Sequence, residues 1–104
     1  MVEKAIPKEW IEDYLRKSGD ADVDFTGLEV EVNENGFMAY ALLDDAVELY
    51  YVYGNGRYWD RRAEEIARRN GLRKIRFATS RNPFSFIRKY KYRLIGFILE
   101  KEVS

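Results

Sequence analysis

The chain is 104 residues long, enough for one domain with a single core. Apolar residues make up 46% and charged residues 35%, the balance of a globular rather than a disordered chain. It contains neither Cys nor His, which excludes disulfides, thiol nucleophiles, Ser-His-Asp triads and the usual zinc sites, and leaves proton chemistry to Glu, Asp, Tyr, Lys, Ser or water.

No apolar run approaches the ~20 residues needed to span a bilayer. The opening MVEKAIPKEW is too charged for a signal peptide, so the expected location is the cytoplasm, with neither a membrane partner nor a metal. Net charge is zero but unevenly spread: residues 1–50 are acidic, and from Ile66 to Leu99 there are only basic charges. That split suits either a polyanion on the basic half or internal pairing of the two halves. Aromatics reach 15%, which fits an aromatic-rich core or a surface on which other molecules stack.

In chain order, Pro7 suits a first helical turn, Trp10, Ile11, Tyr14 and Leu15 recur at helical spacing, and Gly19 ends that helix. Gly19 to Gly27 reads as an acidic loop. Three strands follow, Leu28–Val32, Phe37–Leu43 and Val47–Tyr53, joined by the turns Asn33–Gly36 and Asp44–Asp45. Such short turns force an antiparallel meander. Alternation puts Val47, Leu49, Tyr51 and Tyr53 on one face of the third strand and Ala46, Glu48, Tyr50 and Val52 on the other.

After Gly54-Asn55-Gly56, the residues Trp59, Arg62, Ala63, Ile66 and Ala67 fit a helix closed by Asn70-Gly71. Leu72–Thr79 reads as a strand with Leu72, Lys74, Arg76 and Ala78 on one face and Arg73, Ile75, Phe77 and Thr79 on the other. Asn82-Pro83 opens a short helix to about Tyr90, and Tyr92–Val103 is the last strand, straight or bent at Gly96. The predicted class is α+β: a mixed, mostly antiparallel sheet with an N-terminal meander and helices on its faces, in a single domain over 1–104.

That order, with a Gly-rich turn between the third strand and its helix, resembles the GNAT superfamily of acetyl-CoA-dependent N-acyltransferases. The likeness covers roughly residues 28–100. The run VELYYVYGNG…RRAEEIARRNGLRKIRF is similar to the family's fourth strand, pyrophosphate loop, third helix and fifth strand, and RNPFSFIRKYKYRLIG to its next helix and sixth strand. The resemblance implies that acetyl-CoA binds in a cleft opened where the fourth strand splays from the fifth. Its pyrophosphate would meet the loop pattern (Gln/Arg)-x-x-Gly-x-(Gly/Ala), here Tyr51, Val52, Tyr53, Gly54, Asn55 and Gly56, with Tyr51 standing at the Gln/Arg position. Arg57, Arg61 and Arg62 would supply phosphate charge, and Asn82 matches the Asn-Pro of the next helix. Glu48 matches a general base carried on the fourth strand. The family's Tyr acid falls on Ile87 or Lys89, depending on which end is aligned, and Tyr90 is the nearest tyrosine.

The family normally begins with a strand and two helices; this chain offers one helix and the loop of Asp20, Asp22 and Asp24, which suits either a cationic amine acceptor or a plain solvated turn. The implied activity is transfer of an acetyl group to an amine. A second reading is a non-catalytic GNAT-like binding or assembly module of phage type, with a protein partner. A third is nucleic-acid binding through the basic stretch Arg68–Arg93 and its interleaved aromatics.

Overall fold

The structure is a computed structural model that describes residues 6–78, 93–95 and 98–103. Pro7 precedes α1, Lys8–Ser18, whose C-terminus is closed by Gly19 in the left-handed conformation, its N–H donating to the Leu15 carbonyl. Strands β1 (Glu29–Asn33), β2 (Gly36–Leu42) and β3 (Ala46–Gly54) form the expected antiparallel meander. Helix α2, Gly56–Arg69, then crosses over to β4 (Lys74–Ala78), which lies parallel to β3. Asn55 caps α2 by accepting from the Tyr58 N–H at 3.1 Å, which satisfies one of the unpaired donors of the first turn.

The expected last strand is two. Strands β5 (Arg93–Ile95) and β6 (Ile98–Glu102) pair antiparallel, and β6 inserts between β5 and β4, giving the order β1-β2-β3-β4-β6-β5. The apolar run between Leu94 and Leu99 reads as one segment by composition, because both strands draw on the same residue types. The helix expected from Pro83 to Tyr90 lies outside the described residues.

One face of the sheet carries the core under α2. Trp59, Ala63, Ile66 and Ala67 pack on Met38, Tyr40, Val47, Leu49, Ile75 and Phe77. The spacing 4, 3, 1 along α2 is a single helical stripe. Ile75 and Phe77 face this core as alternation requires, whereas Leu72, which precedes β4, also packs here rather than with Arg76.

The other face holds an aromatic layer under α1. Tyr14 lies 5.9 Å from Phe37 and 5.7 Å from Tyr51 between ring centres, Phe25 meets Tyr51 edge-on at 5.4 Å, and Tyr53 stacks on Phe37 at 5.4 Å. The Tyr53 hydroxyl donates to Asp13 at 2.7 Å, and the Asp24 N–H donates to the Tyr51 hydroxyl at 3.0 Å. Much of the aromatic content is thereby structural.

A β-bulge corrects the expected faces of β3. Ala39 pairs with Tyr51 but the next residue, Tyr40, pairs with Leu49, so Tyr50 is the extra residue. Such an insertion reverses the alternation beyond it. Val47 and Leu49 face α2, while Tyr51 and Tyr53 face α1 and Val52 turns into the α2 core.

Candidate functional site

Strand β3 and the start of α2 position the residues singled out by sequence. Among the described residues, the β3/β4 ladder runs from Ala46↔Lys74 to Leu49↔Phe77. Strand β3 continues to Gly54, and beyond Leu49 its β4 side carries no strand among the described residues. A bulge bends its strand and increases the local twist, and here it falls between Leu49 and Tyr51.

Glu48 lies on the face opposite α2, between Ala41 of β2 and Arg76 of β4. Its Oε1 accepts from the Tyr50 hydroxyl at 2.6 Å. That bond pushes the Tyr50 phenol above its ordinary pKa. Arg76 completes a polar row across neighbouring strands: it donates to Glu100 at 2.8 Å and to Asp45 at 3.0 Å. Hydrogen bonding from Arg76 holds the Asp45 carboxyl below the usual carboxylate range.

The loop residues divide by task. Gly54 sits opposite Gly36 with φ of 99°, and a Cβ built there would lie 2.1 Å from the Asn35 carbonyl oxygen. This glycine is required by the approach of two strands. Substituting Gly54 by Ala is therefore expected to cost at least about 2 kcal/mol in the ligand-free protein, read as a lowered urea midpoint. A glycine needed only for ligand approach would leave that midpoint in place.

The Asn55 N–H donates to the Asn35 carbonyl at 2.8 Å while its side chain caps α2. Gly56 and Arg57 begin α2, and no acidic residue occupies that first turn. Arg57 and Arg61 are exposed, one helical turn apart, and hold no carboxylate among the described residues. Arg62 differs, gripping Glu31 of β1 at 2.8 Å and also Glu65. These arginines, with Asn55, Tyr58 and Arg68, line a surface groove of about 550 Å³ on the outward side of α2.

Tyr90 and Asn82 lie outside the described residues, so the candidate acid and the Asn-Pro match have no place in this geometry. The acidic loop is tied down inside itself and to its neighbours: Asp24 accepts from the Thr26 N–H, and Asp20 from the Tyr14 hydroxyl of α1. The uneven charge is partly internal, as Glu31–Arg62 and Asp45–Arg76 join the acidic and basic halves. Of the basic stretch, Arg68, Arg69 and Arg76 each hold a carboxylate.

Sequence reasoning missed the Tyr50–Glu48 pair, although their i, i+2 spacing on a strand already placed them on one face. It also missed Lys101, buried against Asp60 and Glu64 of α2. No group of three or more metal-ligating side chains occurs among the described residues. None of the described helices is long and apolar enough to cross a membrane. Compared with known proteins, the chain matches no family model, and neither a curated protein nor a solved structure gives a significant match.

Proposed function

We propose that the chain is a minimal GNAT-like N-acyltransferase that binds acetyl-CoA along β3 and transfers the acetyl group to an amine. The observation that carries this reading is the parallel pairing of β3 with β4 over Ala46–Leu49, with β3 running on through the bulge to the N-terminus of α2. Strands β3 and β4 are the segments that the resemblance assigns to the two strands flanking the coenzyme cleft. The five residues Tyr50–Gly54 span about 16 Å at strand rise, which suits an extended pantetheine arm pairing its amides with strand peptide groups. Beyond them, the N–H groups opening α2 and the arginines Arg57 and Arg61 suit a pyrophosphate.

Arg57, in the first turn of α2, opposes the helix dipole, so it is a poor choice for stability alone. Thermal unfolding with acetyl-CoA tests the reading. At a hundred times its dissociation constant the coenzyme should add about 2.7 kcal/mol, a rise in Tm of about 12 °C for a domain of this size. The double substitution Arg57→Glu/Arg61→Glu should abolish that rise without lowering the Tm of the free protein. No shift at millimolar acetyl-CoA would overturn the proposal.

A non-catalytic GNAT-like module is the second reading, favoured by the structural tasks of Gly54 and Asn55. Both residues are accounted for by the Gly36–Gly54 approach and the α2 cap with no ligand invoked.

A further inference from the structure

We propose that the groove along the outward side of α2 binds single-stranded nucleic acid, with arginines on its phosphates and Tyr58 under a base. This goes beyond acetyl-CoA binding and does not depend on it. The two readings share Arg57 and Arg61; Arg68 and Tyr58 belong to this one.

Helix α2 carries five arginines and no lysine. Trp59, Ala63, Ile66 and Ala67 turn one stripe of it to the core. On the opposite side Arg57, Arg61 and Arg68 fall within about 40° of one another, on a line about 16 Å long by helix rise. All three are exposed. The carboxylates of the helix are drawn to its flanks: Asp60 and Glu64 bind Lys101 of β6, and Glu65 binds Arg62 and Arg69. The Arg68–Glu64 contact, at 3.3 Å and with Arg68 half exposed, is a surface pair worth little, which a phosphate can replace. The outward line is therefore positive, although the whole chain is neutral.

Arginine suits this task better than lysine, because a guanidinium forks onto phosphate oxygens and also stacks on a flat ring. Tyr58 lines the same groove. Its hydroxyl accepts from the Asn33 side-chain N–H at 2.9 Å, and its ring stands edge-on to Trp59 at 4.8 Å, so the ring is fixed before any ligand arrives. A positive groove for the backbone and an aromatic ring for a base are the two parts of sequence-tolerant single-strand binding. A duplex keeps its base faces in its own stack and would leave Tyr58 without a partner. The Tyr58–Asn33 and Arg62–Glu31 contacts set the groove against β1, the sheet edge opposite β5.

Fluorescence anisotropy with labelled oligo-dT and oligo-U of about twelve nucleotides tests the proposal. Three neutralised phosphates give a slope of log affinity against log salt of about −2, a loss of about twentyfold from roughly 50 to 200 mM salt. Arg61→Gln and Arg68→Gln should each reduce that loss to about sevenfold, whereas Arg69→Gln, off the line, should leave it at about twentyfold. Tyr58→Leu should weaken binding at least about fivefold with the slope unchanged. An unchanged Tm checks the fold of the arginine variants, and the tighter of the two strands identifies DNA or RNA as the source. A salt slope untouched by Arg61→Gln and Arg68→Gln would overturn the proposal. So would a duplex of equal length binding as tightly, or poly-glutamate displacing the strand as well as unlabelled oligo-dT does, which would point to an acidic protein instead. A wild type that binds neither strand yet gains stability with acetyl-CoA would overturn this proposal alone.

Discussion

Replacing Trp59 by alanine is expected to cost about 4 kcal/mol, a large share of the stability of a domain this size. Trp59 is 1% exposed and sits at the centre of the layer between α2 and the sheet. Its indole N–H also donates to the Asn35 carbonyl at 3.1 Å, the same oxygen that receives the Asn55 N–H. The side chain therefore fills the core and ties α2 to the β1–β2 turn at once. Trp59→Phe keeps most of the ring volume and leaves that carbonyl with the Asn55 donor, so it should lose only about 1–2 kcal/mol. Urea unfolding of the two variants gives the comparison. Equal losses would mean that the hydrogen bond, rather than volume, dominates at this position.

The second large effect lies at Lys101, whose side chain is 6% exposed and whose Nζ donates to Asp60 at 2.8 Å and also to Glu64. Substitution by Met should cost about 3 kcal/mol at pH 7, because two partly buried carboxylates then face each other without their cation. Adding Asp60→Asn and Glu64→Gln should recover most of the loss. Burial alone pushes the Glu64 carboxyl up, but the Lys101 ammonium, and Arg68 beyond it, outweigh that and leave it below its ordinary value. A depressed carboxyl pKa contributes stability that is present above the unfolded value of roughly 4.3 and is lost as pH falls through the folded value. The deficit of Lys101→Met should therefore be largest near neutrality and shrink below about pH 4 as Glu64 protonates. Urea titrations at pH 7 and pH 3.5 check the sign; a deficit independent of pH would contradict it.

The candidate site divides in the same way. Gly54-Asn55-Gly56 was visible as a strand-to-helix turn, and the helix after it followed from the period of Trp59, Ala63, Ile66 and Ala67. The cost of a side chain at Gly54 was not visible, since it depends on Gly36, which closes against it across two strands. Glu48 was legible as a carboxylate on the strand before the turn. That it shares a face with Tyr50 was legible from their spacing; that Tyr50 is the extra residue of a bulge was not.

By itself the sequence determined the local elements: α1 with its Gly19 stop, the three-strand meander, the capped α2, and the strand after it. Each follows from residues close together along the chain, through side-chain period, turn chemistry and capping. The tertiary structure decided what depends on partners far away in sequence. Composition does not reveal the register slip at Tyr50, because the run of Val47, Leu49, Tyr51 and Tyr53 reads as one unbroken stripe and only the pairing of Ala39 and Tyr40 exposes the extra residue. Lys101 reads as one charge in a polar strand end, and only carboxylates 37 and 41 residues earlier make its burial tolerable. The division of Tyr92–Val103 into β5 and β6, with β6 beside β4, is of the same kind, since which strand pairs with which is settled by the whole sheet.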